Sequence, residues 1–126
     1  APVIPFLTDQ HIEKVIDAAA YAGATTGGYV MLRLPHELKD LFRDWLKTHF
    51  PLQARRVMAR VRDVRGGREN DTEFGRRMVG QGEYAELIRR RFNAACRRVG
   101  LNATTLDELD VRRFKVSETI KQLDLF

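Results

Sequence analysis

The densest run of chemistry-bearing side chains is RDVRGGRENDTEFGRRM, residues 62–78. It places Arg62, Arg65, Arg68, Arg76 and Arg77 close together in sequence, with Asp63, Glu69, Asp71 and Glu73 between them. Guanidinium groups are planar forks that suit phosphate and carboxylate alike. Two readings therefore fit the run. Either the arginines form a phosphate-binding surface that would take nucleic acid, or they neutralise the interleaved carboxylates as an ion-paired loop. Phe74, Tyr84 and Phe92 are too scattered to make a base-stacking platform.

Other candidates for chemistry are sparse. His11, His36 and His49 lack ligand spacing, and the single cysteine, Cys96, pairs with none of them, so surface, capping or core roles are expected. With one cysteine no internal disulfide forms, and a reducing cytoplasm is the expected location. No G-x-S-x-G, P-loop or G-x-G-x-x-G stands in the chain. Arg33, at the end of an apolar run, needs either an anionic ligand or a structural carboxylate partner. The last five residues, QLDLF, put Gln122, Leu123, Leu125 and Phe126 at an end where polar residues are usual. They either pack back on the domain or form a hook for another protein.

These residues must be positioned by a single-domain chain of 126 residues with net charge +5. The charge is uneven: residues 51–100 carry 13 arginines, no lysine and six acidic residues, while each flanking segment is close to neutral. No apolar run approaches the roughly 20 residues of a membrane span, so no membrane partner is expected.

The pattern predicts a short buried strand at APVIPF (1–6), then a helix over 7–24 with Thr8 or Asp9 as cap and Ile12, Val15, Ile16, Ala19 and Ala20 inward. Tyr29–Leu34 reads as a second strand covered on both faces. A helix over 35–50 follows, with Leu38, Leu41, Phe42, Trp45 and Leu46 as its stripe. Pro51 opens a third helix to Arg65, with Ala54, Val57, Met58 and Val61 inward. A glycine-rich loop fills 66–83, a fourth helix runs over 84–99 and stops at Gly100, and residues 101–126 read as an irregular tail. The expected class is α/β and helix-rich: a terminal βαβα part (1–50), a basic helical extension with a Gly/Arg-rich loop (51–100), and a C-terminal tail (101–126). Two parallel strands do not make a stable sheet, so the chain is expected to be the end of something longer, or to dimerise over its exposed sheet edge.

The stretch from APVIPFLTDQ to LKTHFP, then RGGRENDTEFGRRMVGQGEYAELIRRRFNAACRRVGLN and the closing QLDLF, resembles the C-terminal part of bacterial radical S-adenosylmethionine proteins related to spore photoproduct lyase, often named DNA repair photolyases. The most specific stretches are GYVMLRLPHELKDLF and RGG…FGRRMVGQG. The resemblance implies the last two βα units of a partial (β/α) barrel. It also implies S-adenosylmethionine and a four-iron four-sulfur cluster held by a C-x-x-x-C-x-x-C motif in the full-length parent, a lyase-like enzyme. That motif is absent here, so no cofactor and no catalysis are expected of this chain alone. The late strand ends of such barrels line the cofactor cleft, which makes Ile4, Pro5, Leu34 and Pro35 the implied cofactor neighbours. Independently, QLDLF resembles the pentapeptide by which bacterial proteins bind the DNA polymerase sliding clamp, with Gln122 as polar anchor and Leu123, Leu125 and Phe126 at its apolar positions. The alternative function is an arginine-rich helical module that binds nucleic acid, or the clamp, without catalysis.

Overall fold

The computed structural model describes residues 2–73 and 75–103; Gln122, Leu123, Leu125 and Phe126, the expected hook, lie outside them. The described residues form five helices: α1 (Ile12–Tyr21), entered through a 3-10 turn at Asp9–His11, α2 (Leu38–His49), α3 (Ala54–Asp63), the single turn α4 (Arg76–Val79) and α5 (Gly82–Val99). Each long helix matches an expected one to within a few residues. The exception is α4, which four residues between Gly75 and Gly80 do not announce. Gly100, at φ +77°, ends α5, and Leu101 N–H closes back on the Cys96 carbonyl at 2.9 Å. Neither Thr8 nor Asp9 caps the first helical turn with its side chain. Thr8 Oγ1 instead accepts the Ile4 N–H at 2.8 Å, and Asp9 is buried.

The expected α/β sheet is corrected. Among the described residues there is no strand, and the molecule is helix-rich. Its one β feature is an isolated parallel bridge between Val3 and Met31. Val3 N–H donates to the Val30 carbonyl at 2.8 Å, and Leu32 N–H donates to the Val3 carbonyl at 2.9 Å. The next bond of that ladder would run from residue 5 to the Leu32 carbonyl, and residue 5 is proline, which has no N–H to give. On the other edge Met31 N–H donates to the Met78 carbonyl at 2.7 Å. The Met31 and Leu32 carbonyls accept from Arg65 Nη2 at 3.0 and 2.7 Å. A side chain and a loop thus take the hydrogen bonds that further strands would make.

The 29–34 segment separates two cores. On one side Val3, Ile12, Ile16 and Met31 pack with Val64, Ala85, Ile88, Phe92, Ala95, Cys96 and Leu101. On the other, Leu7, Leu32, Leu34 and Leu46 pack with Val57, Met58 and Val61. Both draw on residues before and after position 50. Bonds between α1 and α5 tie the first core's rim: Arg91 Nε and Nη2 to Glu13 at 2.9 and 2.8 Å, and Arg98 to Asp17 at 2.7 Å. The Arg91 bonds hold the Glu13 carboxyl below its ordinary pKa. The expected stripe of α2 is wider than what it covers. Leu46 is buried and Phe42 half-buried, while Leu41 is 62% exposed, and Trp45 stacks on Phe42 at the rim.

Gly66 fixes the entry to the glycine-rich loop. Its φ is +62°, and a Cβ there would lie 2.3 Å from Gln81 Nε2. Gly66→Ala is expected to cost about 1–2 kcal/mol from the left-handed backbone alone. A lower urea midpoint at unchanged slope is the check.

Candidate functional site: an arginine-lined cavity

The loop from Gly66 to Gln81 is a closed lobe. Its ends meet where Gln81 N–H donates to the Val64 carbonyl at 3.0 Å. Inside it lies the Arg65 guanidinium, 1% exposed. Beside its bonds to Met31 and Leu32, Arg65 Nη1 donates to the carbonyls of Arg77 (2.7 Å) and Arg76 (3.4 Å). One side chain therefore joins the 29–34 segment, the end of α3 and the start of α4. Burial pushes its pKa below the ordinary arginine value; Asp71 opposes that shift and Arg33 adds to it. Carbonyl dipoles meet the charge; among the described residues no carboxylate touches it directly, and its Nε is buried with no hydrogen-bond partner.

The other four expected arginines differ in their freedom. Arg62 bonds Glu69 at 3.3 Å. Glu69 also takes Arg43 of α2 at 2.5 Å. Burial pushes the Glu69 carboxyl up, and the bonds from Arg43 and Arg62 more than offset it, leaving the group below its usual range. Arg76 pairs with Glu73 and lies 3.8 Å from Asp71. Arg77 is half-buried and supplies its carbonyl to Arg65. Arg68 is exposed, and its guanidinium has no partner among the described residues. Arg65, Arg68 and Arg76, with Gly66, Asp71 and Gln81, line a polar cavity of about 110 Å³. Three guanidiniums against one buried carboxylate, with a side-chain amide at the wall, suit a phosphate-sized oxyanion. The ion-paired reading describes Arg62 and Arg76, and Arg65, Arg68 and Arg76 line one cavity.

The four residues implied as cofactor neighbours sit around the second core. Leu34 belongs to it and Ile4 packs against it. Pro5 is fully buried and Pro35 half-buried. Arg33 is half-buried, with its Nε unpartnered. The implied iron–sulfur cluster does not fit this chain. It needs three thiolates, and the one cysteine, Cys96, is 3% exposed in the apolar core, where burial pushes its thiol pKa up and disfavours the thiolate.

Sequence reasoning missed a second polar link. Tyr84 donates from its hydroxyl to Asp9 Oδ2 at 2.6 Å, and Arg91 Nη1 stands 3.8 Å from the same oxygen. Arg60 lies over the Tyr84 ring, 5.0 Å from its centroid. Burial and then the Asp9 bond push the Tyr84 pKa up to about 12. A raised folded-state pKa contributes stability that is fully present below the unfolded value near 10 and is lost as pH rises toward about 12. Stability is therefore expected to fall across that window, and the fall should be shallower in Tyr84→Phe. At pH 8 the same variant is expected to lose about 1–2 kcal/mol, because buried Asp9 loses its donor. Urea midpoints of both proteins from pH 8 to 11.5 check it; parallel curves would refute the assignment.

No family model, no curated protein and no solved structure matches this chain.

Proposed function

We propose that this chain is the non-catalytic C-terminal part of a radical S-adenosylmethionine iron–sulfur protein of the spore photoproduct lyase-like group, and that its role is to hold the phosphate backbone of nucleic acid. The observation that carries the role is the convergence of Arg65, Arg68 and Arg76 on one phosphate-sized cavity. Among the described residues the Arg65 charge has no carboxylate in direct contact; its Nη groups are spent on carbonyls, so Arg65 contributes charge while Arg68 and Arg76 would make the direct contacts to an anion. The parent reading is supported by the resemblance alone.

A short DNA duplex titrated at two salt concentrations tests the role. Salt-sensitive binding weakened by Arg68→Ala and Arg76→Ala is expected; no binding at low salt would leave the loop as a structural, ion-paired lobe. The upstream coding sequence tests the parent. A C-x-x-x-C-x-x-C motif there is expected, and its absence would leave an arginine-rich binding module without catalysis.

A further inference from the structure

A larger cavity, about 390 Å³, is lined by Phe6, Asp9, Gln10, Gln53, Arg56 and Tyr84. It lies between the Ile4–Leu7 turn, the start of α3 and the start of α5. Its most unusual wall is Phe6. Leu7 N–H donates to the Ile4 carbonyl at 3.1 Å, closing a tight turn with Pro5 and Phe6 at its centre. Phe6 sits there at φ +67°, a left-handed conformation that a bulky side chain adopts at a cost and glycine adopts freely. Burial covers the ring only in part, since Phe6 is 38% exposed. A strained aromatic residue that keeps part of its face open on a cavity wall is the kind of outlier that points to a ligand.

The other walls define what the ring would meet. Asp9 is engaged by the Tyr84 hydroxyl and faces Arg91, so the cavity's one carboxylate is largely neutralised. Gln10 donates to the Leu7 carbonyl at 3.2 Å, which leaves its amide oxygen as an acceptor. Gln53 and Arg56 are exposed, and their side chains have no partner among the described residues. The free chemistry is thus one aromatic face, amide donors and acceptors, and one cation.

We propose that this cavity binds a single nucleotide with its base unstacked: the base lies on Phe6, the amides of Gln10 and Gln53 meet the base edge, and Arg56 meets the phosphate. The inference rests on the phosphate reading above for its place on a strand. Gln81 lines the smaller cavity and Tyr84, one helical turn on, lines this one, so the two cavities lie at the same end of α5 and a strand bound at both is what the proposal requires.

The test uses the full chain, a single-stranded DNA pentamer carrying 2-aminopurine between abasic residues, so that no neighbouring base quenches it beforehand, and free adenosine monophosphate. Wild type should quench 2-aminopurine fluorescence on binding. Phe6→Gly should abolish the quench and weaken pentamer binding about tenfold to a hundredfold, the range of one lost base–aromatic stack. Its urea midpoint should be equal to or higher than that of wild type, because glycine relieves the turn, so lost binding cannot be read as lost folding. Arg56→Ala should weaken adenosine monophosphate binding in the same way. Binding of adenosine monophosphate without the pentamer supports the pocket with a free nucleotide as its occupant, and binding of both supports a strand. Pentamer binding with no quench, or equal affinity in Phe6→Gly, overturns the pocket while the phosphate reading stands. Quenching that survives Arg68→Ala and Arg76→Ala at unchanged affinity overturns the phosphate reading while the pocket stands. Binding of neither probe overturns both.

Discussion

Arg65→Lys is expected to destabilise the protein by about 3 kcal/mol or more, although it conserves the charge. The guanidinium reaches the carbonyls of Met31 and Leu32 with one nitrogen and those of Arg77 and Arg76 with the other. An ammonium is a point donor on a flexible stem and cannot span both sides. At least two buried carbonyls then lose their donor, at about 1–3 kcal/mol each. A lysine also keeps a charge in a place where burial already disfavours arginine's. Against a total stability of about 5–15 kcal/mol the loss is large. Urea unfolding of the two proteins gives the number, and amide exchange gives the location: residues 66–81 should lose protection before α1 and α5 do. A change below about 1 kcal/mol, with the loop still protected, would show that Arg65 does not hold the lobe.

Most helices were legible because their signals are local. Apolar spacing and stop residues set Ile12–Tyr21, Leu38–His49, Ala54–Asp63 and Gly82–Val99 to within a few residues. The sheet was misread because its failure is not local. Tyr29–Leu34 is extended and covered on both sides, as its composition implies. What it pairs with depends on Pro5 cutting the ladder on one edge and Arg65 filling the other. The Pro5 signal was available in the sequence, since a proline cannot donate to a ladder. The breadth of the α2 stripe misled in the opposite direction: Leu38, Leu41 and Trp45 share the helical spacing of Leu46, but the neighbouring elements reach only Leu46 and part of Phe42.

The site was half legible. Charge and glycine spacing drew attention to the loop that encloses the cavity, yet they could not rank its arginines. Arg65 stands four residues after Val61 and seven after Met58, on the same inward stripe of α3 continued past its end. That position distinguishes it from Arg62 and Arg68, and it is the signal that a count of charges overlooks. Glu69 could not be assigned from sequence, because one of its partners, Arg43, is 26 residues away on another helix. The Tyr84–Asp9 link spans 75 residues and is equally silent.

The largest effect on binding is expected from Arg76→Ala rather than Arg68→Ala, and the reason is the company each keeps. Arg68 has no partner among the described residues, so its removal subtracts one cation and little else. Counterion release then predicts a slope of log K against log salt that is shallower by about 0.9, the contribution of one phosphate contact on a duplex. Arg76 is paired with Glu73 and faces Asp71. Its removal subtracts a cation and also leaves Asp71 at the cavity wall, and Glu73 beside it, without that charge, so the two carboxylates offset Arg65 and Arg68 and the local field attracts a phosphate less. Arg76→Ala should therefore weaken duplex binding more than Arg68→Ala at 50 mM salt, with the gap narrowing at 200 mM as screening blunts the repulsion. Glu73→Gln should act in the reverse sense and tighten binding, because it releases Arg76 toward the ligand. Arg97→Ala, at the far end of α5, serves as the control for charge alone. If Arg97→Ala shifts the slope as much as Arg68→Ala does, the duplex is reading net charge and not this cavity. If Glu73→Gln weakens binding, the Arg76–Glu73 pair is a structural brace of the lobe, and the phosphate is held elsewhere.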